Sequence, residues 1–279
     1  MEIEGKAAIV TGASVLITGA SSGIGSATAT ALAARGMRVF GTHRRPRPNA
    51  DSRVEWLEMD VCNETSVATA VAEVLEAAGR INAVVCCAGF GIFGSIEDVG
   101  LEDAQRQLDT NFFGILRVLR RVLPGLREVA AAGGDARVVL VGSLAGRAPI
   151  PFQAHYSASK AAVDALCQAL RMELQPFDVK VSLVEPGDID TAFNDAMDWG
   201  DSQRSAYREP LARCEAVIRQ SLPKAPGPEV VVRAIEKALT AKRPRVRYAV
   251  GADSKLVPLA RRLLPDWLNL RLIRDHFDL

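Results

Sequence analysis

Short runs dominated by Val, Leu and Ile recur along the chain at 15–18, 38–42, 54–59, 83–87, 137–141, 180–185 and 246–250. Several are apolar almost throughout, the pattern of parallel strands covered on both faces. Longer stretches with helical spacing lie between them. One starts near Ile24 and stops near Gly36, another spans about 65–78, and a third runs from Leu101 to about Val122, ahead of Pro124. The longest runs from about Ala154 to Gln175, ahead of Pro176. Strand and helix alternating in this way predict an α/β fold. The expected architecture is a Rossmann-type doubly wound, mainly parallel seven-stranded sheet with helices on both faces. No low-complexity linker and no second alternating block interrupts it, so residues 15–279 read as one domain.

Composition narrows the partners. A net charge of +1 over 279 residues offers no electrostatic footprint for nucleic acid. Five cysteines, an odd number without metal-type spacing, argue against a disulfide framework and against a zinc site, and three scattered histidines add no ligand set. The N-terminus lacks a basic region followed by an apolar core, and no apolar run approaches the roughly 18 residues of a membrane span. The expected setting is cytoplasmic and reducing, with no metal.

The stretch AAIVTGASVLITGASSGIG contains one phrase twice. A phosphate-binding turn needs glycines where the backbone must approach a pyrophosphate at a helix N-terminus. The second copy supplies Gly19, Gly23 and Gly25, followed by a helical stretch; the first supplies Gly12 alone, with Leu16 and Ile17 where later glycines should fall. The second copy is therefore the working loop. Residues 1–14 read as a duplicated extra segment outside the main sheet, or as the product of a misplaced start.

After the second strand, an acidic side chain would bond the adenosine ribose hydroxyls, whereas an Arg favours the extra phosphate of NADP. Here the strand ends in His43-Arg44-Arg45 with no Asp or Glu, which favours NADP(H) over NAD(H); the bland alternative is that both arginines are solvated loop charges. Further on, Tyr156 and Lys160 stand four residues apart on a predicted helix, so phenol and ammonium share one face, and Ser143 follows a strand. Hydride reduction of a ketone puts negative charge on its oxygen, which a positioned acid must protonate. A tyrosine with an ordinary pKa near about 10 needs a neighbouring cation to ionise readily.

TGASSGIG, Asn111 in DTNFFG and Ser-x(12)-Tyr-x(3)-Lys together resemble the short-chain dehydrogenase/reductase family, over roughly residues 15–250. The motifs VFGTHRRP, CCAGFGIFGSIED and VEPGDIDTAF are similar to its hydroxysteroid- and retinol-dehydrogenase-like branch. The resemblance implies Tyr156 as general acid/base and Lys160 as the cation that lowers its pKa and binds the nicotinamide ribose. It implies Ser143 as the group polarising the substrate oxygen, and Asn111 as holder of a water in the proton relay. The cofactor residues it implies are Gly19, Ser21, Ser22, Gly23, Ile24, Gly25, Arg44, Asp60, Val61, Ala88, Gly89, Tyr156, Lys160, Pro186, Gly187, Ile189 and Thr191. One departure stands out: Cys86-Cys87 replaces the family's Asn-Asn, and is read as small packed thiols rather than a redox pair. His155, beside Tyr156 but about 100° away on the helix, is expected to be structural or solvent-facing.

The residues expected at the substrate are Phe90, Phe93, Leu144, Phe152, Phe193, Met197 and Trp199, with Ile92 and Pro149 nearby. They predict a hydrophobic carbonyl or alcohol, steroid-, retinoid- or similar. A lid is expected at about 188–226. The basic amphipathic tail, about 254–279 with Leu256, Leu259, Leu263, Leu264, Trp267, Leu268 and Ile273, is expected to pack on the body or a partner subunit rather than enter a membrane surface. The resemblance also implies a homodimer or homotetramer built on the helices carrying Asn111 and Tyr156. The alternative to an NADP-dependent oxidoreductase is a catalytically silent nucleotide-binding regulator of the same fold.

Overall fold

The computed structural model describes residues 12–44, 51–191, 193, 197–199, 205–251, 257 and 261–279. Most of the first repeat phrase, Arg45, Leu256 and Leu259 lie outside the described residues. Nine strands are described: β1 Ser14–Thr18, β2 Arg38–His43, β3 Val54–Glu58, β4 Ala83–Cys86, β5 Ile92–Phe93, β6 Ala136–Val141, β7 Val179–Pro186, β8 Asp198–Trp199 and β9 Arg247–Val250. Seven form one all-parallel sheet in the order β3-β2-β1-β4-β6-β7-β9, and β5 pairs β8 in a small parallel ribbon. Chain direction across the sheet reverses between β1 and β4, which opens the crevice at their C-terminal ends where such sheets bind ligands.

The helices among the described residues are α1 Gly23–Ala34, α2 Glu64–Ala78, α3 Leu101–Leu108, α4 Gly114–Ala131, α5 Ala154–Leu174, α6 Ser205–Ser221, α7 Glu229–Thr240 and α8 Asp266–His276. Strand alternation decides which helices lie on which face. Leu16, Phe40, Val84, Leu140 and Leu183 point to one side and pack with Val71 of α2, Val118 of α4 and Val163 of α5. Their neighbours Val15, Ile17, Val39, Val85, Val139 and Val184 point to the other, against Leu32 of α1 and Ile235 of α7. Two cores therefore sandwich the sheet, and its strands need apolar residues at nearly every position.

The main strands match the sequence expectation to within one residue at each end. β1 takes in Ser14, whose amide bonds the Asn82 side chain at 3.1 Å. Gly12 and Ala13 run beside the turn into β2 through Gly12 N–H to Gly36 (2.8 Å) and Arg38 N–H to Ala13 (3.0 Å). The helix expected at 101–122 is different. It divides into α3, a π-helical turn at Asp109–Phe113, and α4, which passes through Pro124 to Ala131. Its buried stripe, Ile115, Val118, Leu119, Val122, Leu126 and Val129, continues across the proline, so burial of the last two outweighs the lost amide hydrogen bond.

Candidate active site

The C-terminal ends of the strands open into a cleft of about 990 Å³. At one end β1 turns into α1 through the glycine loop. Gly19 has φ +63°, and a Cβ there would lie 2.7 Å from the Ala88 Cα; a Cβ on Gly25 would overlap the Gly19 carbonyl. Gly23, φ +51°, faces Thr191 across the cleft. Ser22 begins α1 without a side-chain cap, leaving the first-turn amides and the positive helix end to an anion. This cradle, which any side chain would fill, fits a dinucleotide pyrophosphate. The Thr18 hydroxyl accepts the amides of Cys87 and Ala88, each at 3.1 Å, and so latches the end of β4 to the end of β1.

Ser21, Ser22, Ile24, Arg44, Asp60, Val61, Ala88, Gly89, Pro186, Gly187, Ile189 and Thr191 all line the same cleft. Arg44 lines the cleft, exposed, at the end of β2, a strand that itself carries no Asp or Glu. The Asp60 carboxylate accepts the Cys62 amide at 2.9 Å, which fixes the turn after β3. His43 and Asp188 line the cleft too and were missed from sequence; Asp188 is held by the Ser221 hydroxyl at 2.8 Å. Cys86 is buried in the sheet core, while Cys87 faces the cleft. Burial raises both thiols, Cys87 to about 12 despite the opposing charge of Lys160. A thiol so held is neutral and a poor nucleophile, which supports the packing interpretation of the pair.

Tyr156, Lys160 and Ser143 line the cleft, and Asn111 lies behind them on the other side of Gly89, which neighbours both Asn111 and Lys160. One turn of α5 separates Tyr156 from Lys160, whose ammonium lies 5.7 Å from the phenol ring centre and donates to the Val141 carbonyl at 3.0 Å. The Ser143 hydroxyl bonds the phenol and accepts the Ala145 amide at 3.1 Å. Burial pushes the phenol up to about 12, with the Ser143 bond pulling the other way, and burial draws the Lys160 ammonium down to about 8. The protein alone therefore keeps Tyr156 protonated, because desolvation of a phenolate outweighs an ammonium that is bonded elsewhere.

Asn111 sits in the π turn, fully buried. Its Oδ1 accepts the Phe90 amide at 3.0 Å; its Nδ2 donates to the Phe90 carbonyl and the Ser159 hydroxyl, each at 3.0 Å. That side chain is spent on tying the loop after β4 to α5. Gln107, one turn earlier and not foreseen, donates to the same Phe90 carbonyl at 3.2 Å. His155 is half-buried, and its Nε2 has no hydrogen-bond partner.

Of the residues expected at the substrate, Phe90, Leu144, Phe193 and Met197 line the cleft, with Pro149. Phe93, Phe152 and Trp199 do not. Pairing of β5 with β8 sets Phe93 beside Trp199, ring centres 5.1 Å apart, and Phe152 closes on Phe93 at 6.0 Å. They form a small core with Leu211 and Cys214 behind Met197 and Phe193, as does Phe277. Ile92 is buried in the same ribbon. The tail does pack on the body: Asn269, Leu272, Ile273 and His276 of α8 form a wall of the cleft. Gln153 also lines it, and no local signal marks any of these, since they join the site only by long-range packing. Among the described residues no His, Cys, Asp or Glu cluster has the makings of a metal site, and no helix is long and apolar enough to cross a membrane.

Comparison with known proteins gives one consistent picture. A family profile described as short chain dehydrogenase matches residues 13–200. A 3-ketodihydrosphingosine reductase from Bacteroides thetaiotaomicron is 36% identical over 239 residues, 85% of this chain and 87% of that protein. The human 17-beta-hydroxysteroid dehydrogenase type 1 is 34% identical over 276 residues, covering 90% and 81%. Among solved structures, a short-chain dehydrogenase from Streptomyces avermitilis aligns with TM-score 0.79 at 29% identity over 96% of this chain and 97% of that one. One from Burkholderia cenocepacia, in complex with NADP, aligns with TM-score 0.75 at 26% identity over 94% and 98%.

Proposed function

The chain belongs to the short-chain dehydrogenase/reductase family and is an oxidoreductase of CH–OH groups; from that premise we propose that it uses NADP(H) to interconvert a hydrophobic ketone and its alcohol. The observation that carries this is that Tyr156, Lys160 and Ser143 line the same cleft as the glycine loop, with Asn111 buried behind them. Arg44, at the end of a strand that carries no Asp or Glu of its own, supports the choice of NADP(H). The lining near Tyr156 is mostly apolar, and the two relatives named above for a ketosphingoid and a hydroxysteroid are named for lipid-like substrates.

When bound, the nicotinamide supplies or takes the hydride. The chain's part is placement and proton handling. Ser143 donates to the substrate oxygen and holds it beside Tyr156. Tyr156, kept protonated by its buried site, delivers its phenol proton as the oxygen gains charge. Lys160, fixed by the Val141 carbonyl, places a cation behind the phenol and stabilises the tyrosinate that remains. Asn111 and Gln107 position the Phe90 segment, which lines the cleft beside that group. The free thiols of all five cysteines fit a reducing, cytoplasmic setting. Exposed Phe113, Met172 and Phe177, on or just after the helices flanking the site, fit a homodimer, which light scattering after gel filtration will show as twice the chain mass.

The test is oxidation of NADPH against NADH with a panel of apolar ketones, steroid and retinoid carbonyls included. Turnover with NADPH, reversed in preference by Arg44→Asp, is the expected result. Tight NADPH binding with no turnover on any panel member would instead favour the silent regulator.

A further inference from the structure

Helix α8 has two unlike faces. Asn269, Leu272, Ile273 and His276 lie on the side that walls the cleft, and Phe277 just after them enters the core behind it. About 180° round the helix stand Trp267, Leu270, Arg271 and Arg274, the i, i+3, i+4, i+7 spacing of a single stripe. Trp267 and Leu270 are 66% and 63% exposed, and Leu263 just before the helix is 72% exposed. These are among the most exposed apolar side chains described, and Trp267 and Leu270 line one surface groove with Arg271 and Arg274. The stripe is also basic. Arg271 and Arg274 share one carboxylate, Asp275, at 3.7 and 3.1 Å, and exposed Arg262 adds to them at the N-terminal end.

We propose that this outward face of α8 docks the enzyme reversibly on an anionic lipid bilayer, so that the wall of the substrate cleft rests against the phase in which an apolar substrate dissolves. Charge and shape select this occupant. Trp267, Leu263 and Leu270 provide the apolar depth of an interfacial helix, and Arg262, Arg271 and Arg274 outnumber the exposed carboxylates of Asp266 and Asp275 in the same stretch to face lipid phosphates. With 11 residues α8 is far too short to span the bilayer, so it lies along the surface. The reason for docking there rests on the proposed apolar substrate; the docking itself does not.

The test is flotation of the full chain with vesicles of phosphatidylcholine alone and of phosphatidylcholine with phosphatidylglycerol, scored beside gel filtration and NADPH binding. The wild type is expected to float with the anionic vesicles, to be released by salt, and to stay behind with phosphatidylcholine alone. Arg271→Gln with Arg274→Gln is expected to weaken partitioning roughly tenfold, and Trp267→Ser with Leu270→Ser to abolish it, both with unchanged thermal midpoint and NADPH affinity. Failure of the wild type to float, or flotation that survives the Trp267/Leu270 change, overturns the proposal. So does a change of oligomeric state in that variant, which would assign the stripe to a second copy of the chain. Because flotation needs no turnover, its failure with catalysis intact removes the docking alone; flotation without turnover on apolar ketones removes the proposed activity alone.

Discussion

Lys160 and Tyr156 are four residues apart, yet burial moves them in opposite directions, each toward its neutral form. Lys160 loses its charge as pH rises through about 8, so affinity for the anionic cofactor is expected to be highest below that value and to fall above it. Titrating NADPH against Tyr156→Phe across this range isolates the effect, and Lys160→Met is expected to flatten the profile. The stability consequence has the opposite sense. The folded pKa lies below the ordinary 10.5, so the unfolded chain binds more protons between the two values. Wild type should therefore gain stability on Lys160→Met as pH rises from about 8 to about 10.5, measurable by urea midpoints. Tyr156→Phe itself is expected to lower kcat by about 10²–10⁴-fold with NADPH affinity nearly unchanged. An equal fall in kcat and in cofactor affinity would assign the phenol to binding rather than to proton transfer.

Whole elements are held in place around this pair by buried charge. Glu185, at the end of β7 just before Pro186 and Gly187, is bonded by Arg247 of β9, which also reaches Asp164 of α5 at 2.6 Å. Arg147, in the segment leading into α5, stands 3.8 Å from the same carboxylate. Burial raises the Glu185 pKa against the pull of Arg247. This cluster joins three segments of the cleft wall, and Glu185→Leu is expected to cost about 2–3 kcal/mol, somewhat less than a fully buried pair because Arg247 is partly exposed. The double change Glu185→Leu/Arg247→Leu should cost less than Glu185→Leu alone, and urea denaturation of both variants decides it. In α4, Pro124→Ala restores an amide donor in a helix that already continues through this position. It is expected to stabilise by about 1 kcal/mol, below the roughly 3 kcal/mol cost of an interior proline because the fold already accommodates the ring.

At the scale of the molecule, cofactor and substrate ends of the cleft are built differently. The cofactor end uses strand termini and loops following β1 to β4 and β7, with local sequence marks. The substrate end borrows α6 and α8, with the ribbon β5–β8 packed behind it in the small core, and these segments are separated by long stretches of chain. Phe277→Ala, which removes a side chain both lining the cleft and anchored in the small core, is therefore expected to raise KM for an apolar ketone several-fold and leave NADPH affinity unchanged. A parallel loss of NADPH affinity would show that α8 supports the whole cleft rather than its substrate end.

What the sequence determined alone was whatever depends on short-range periodicity and fixed spacing. Uninterrupted apolar runs marked the buried strands, Gly19-x-x-x-Gly23-x-Gly25 marked the tight turn, and Tyr156 with Lys160 shared a helix face because the helix repeat puts them there. Cys86-Cys87 already suggested inert packing. The tertiary structure decided what depends on which surfaces meet. It turned Phe93, Phe152 and Trp199 away from the cleft, because strand pairing outranks apolar character in setting direction. It carried α4 past Pro124, because a buried stripe outweighs one missing hydrogen bond. It also brought Gln107, Gln153 and α8 to a site that no local pattern links them to, since contacts between distant segments are fixed by packing and not by spacing along the chain.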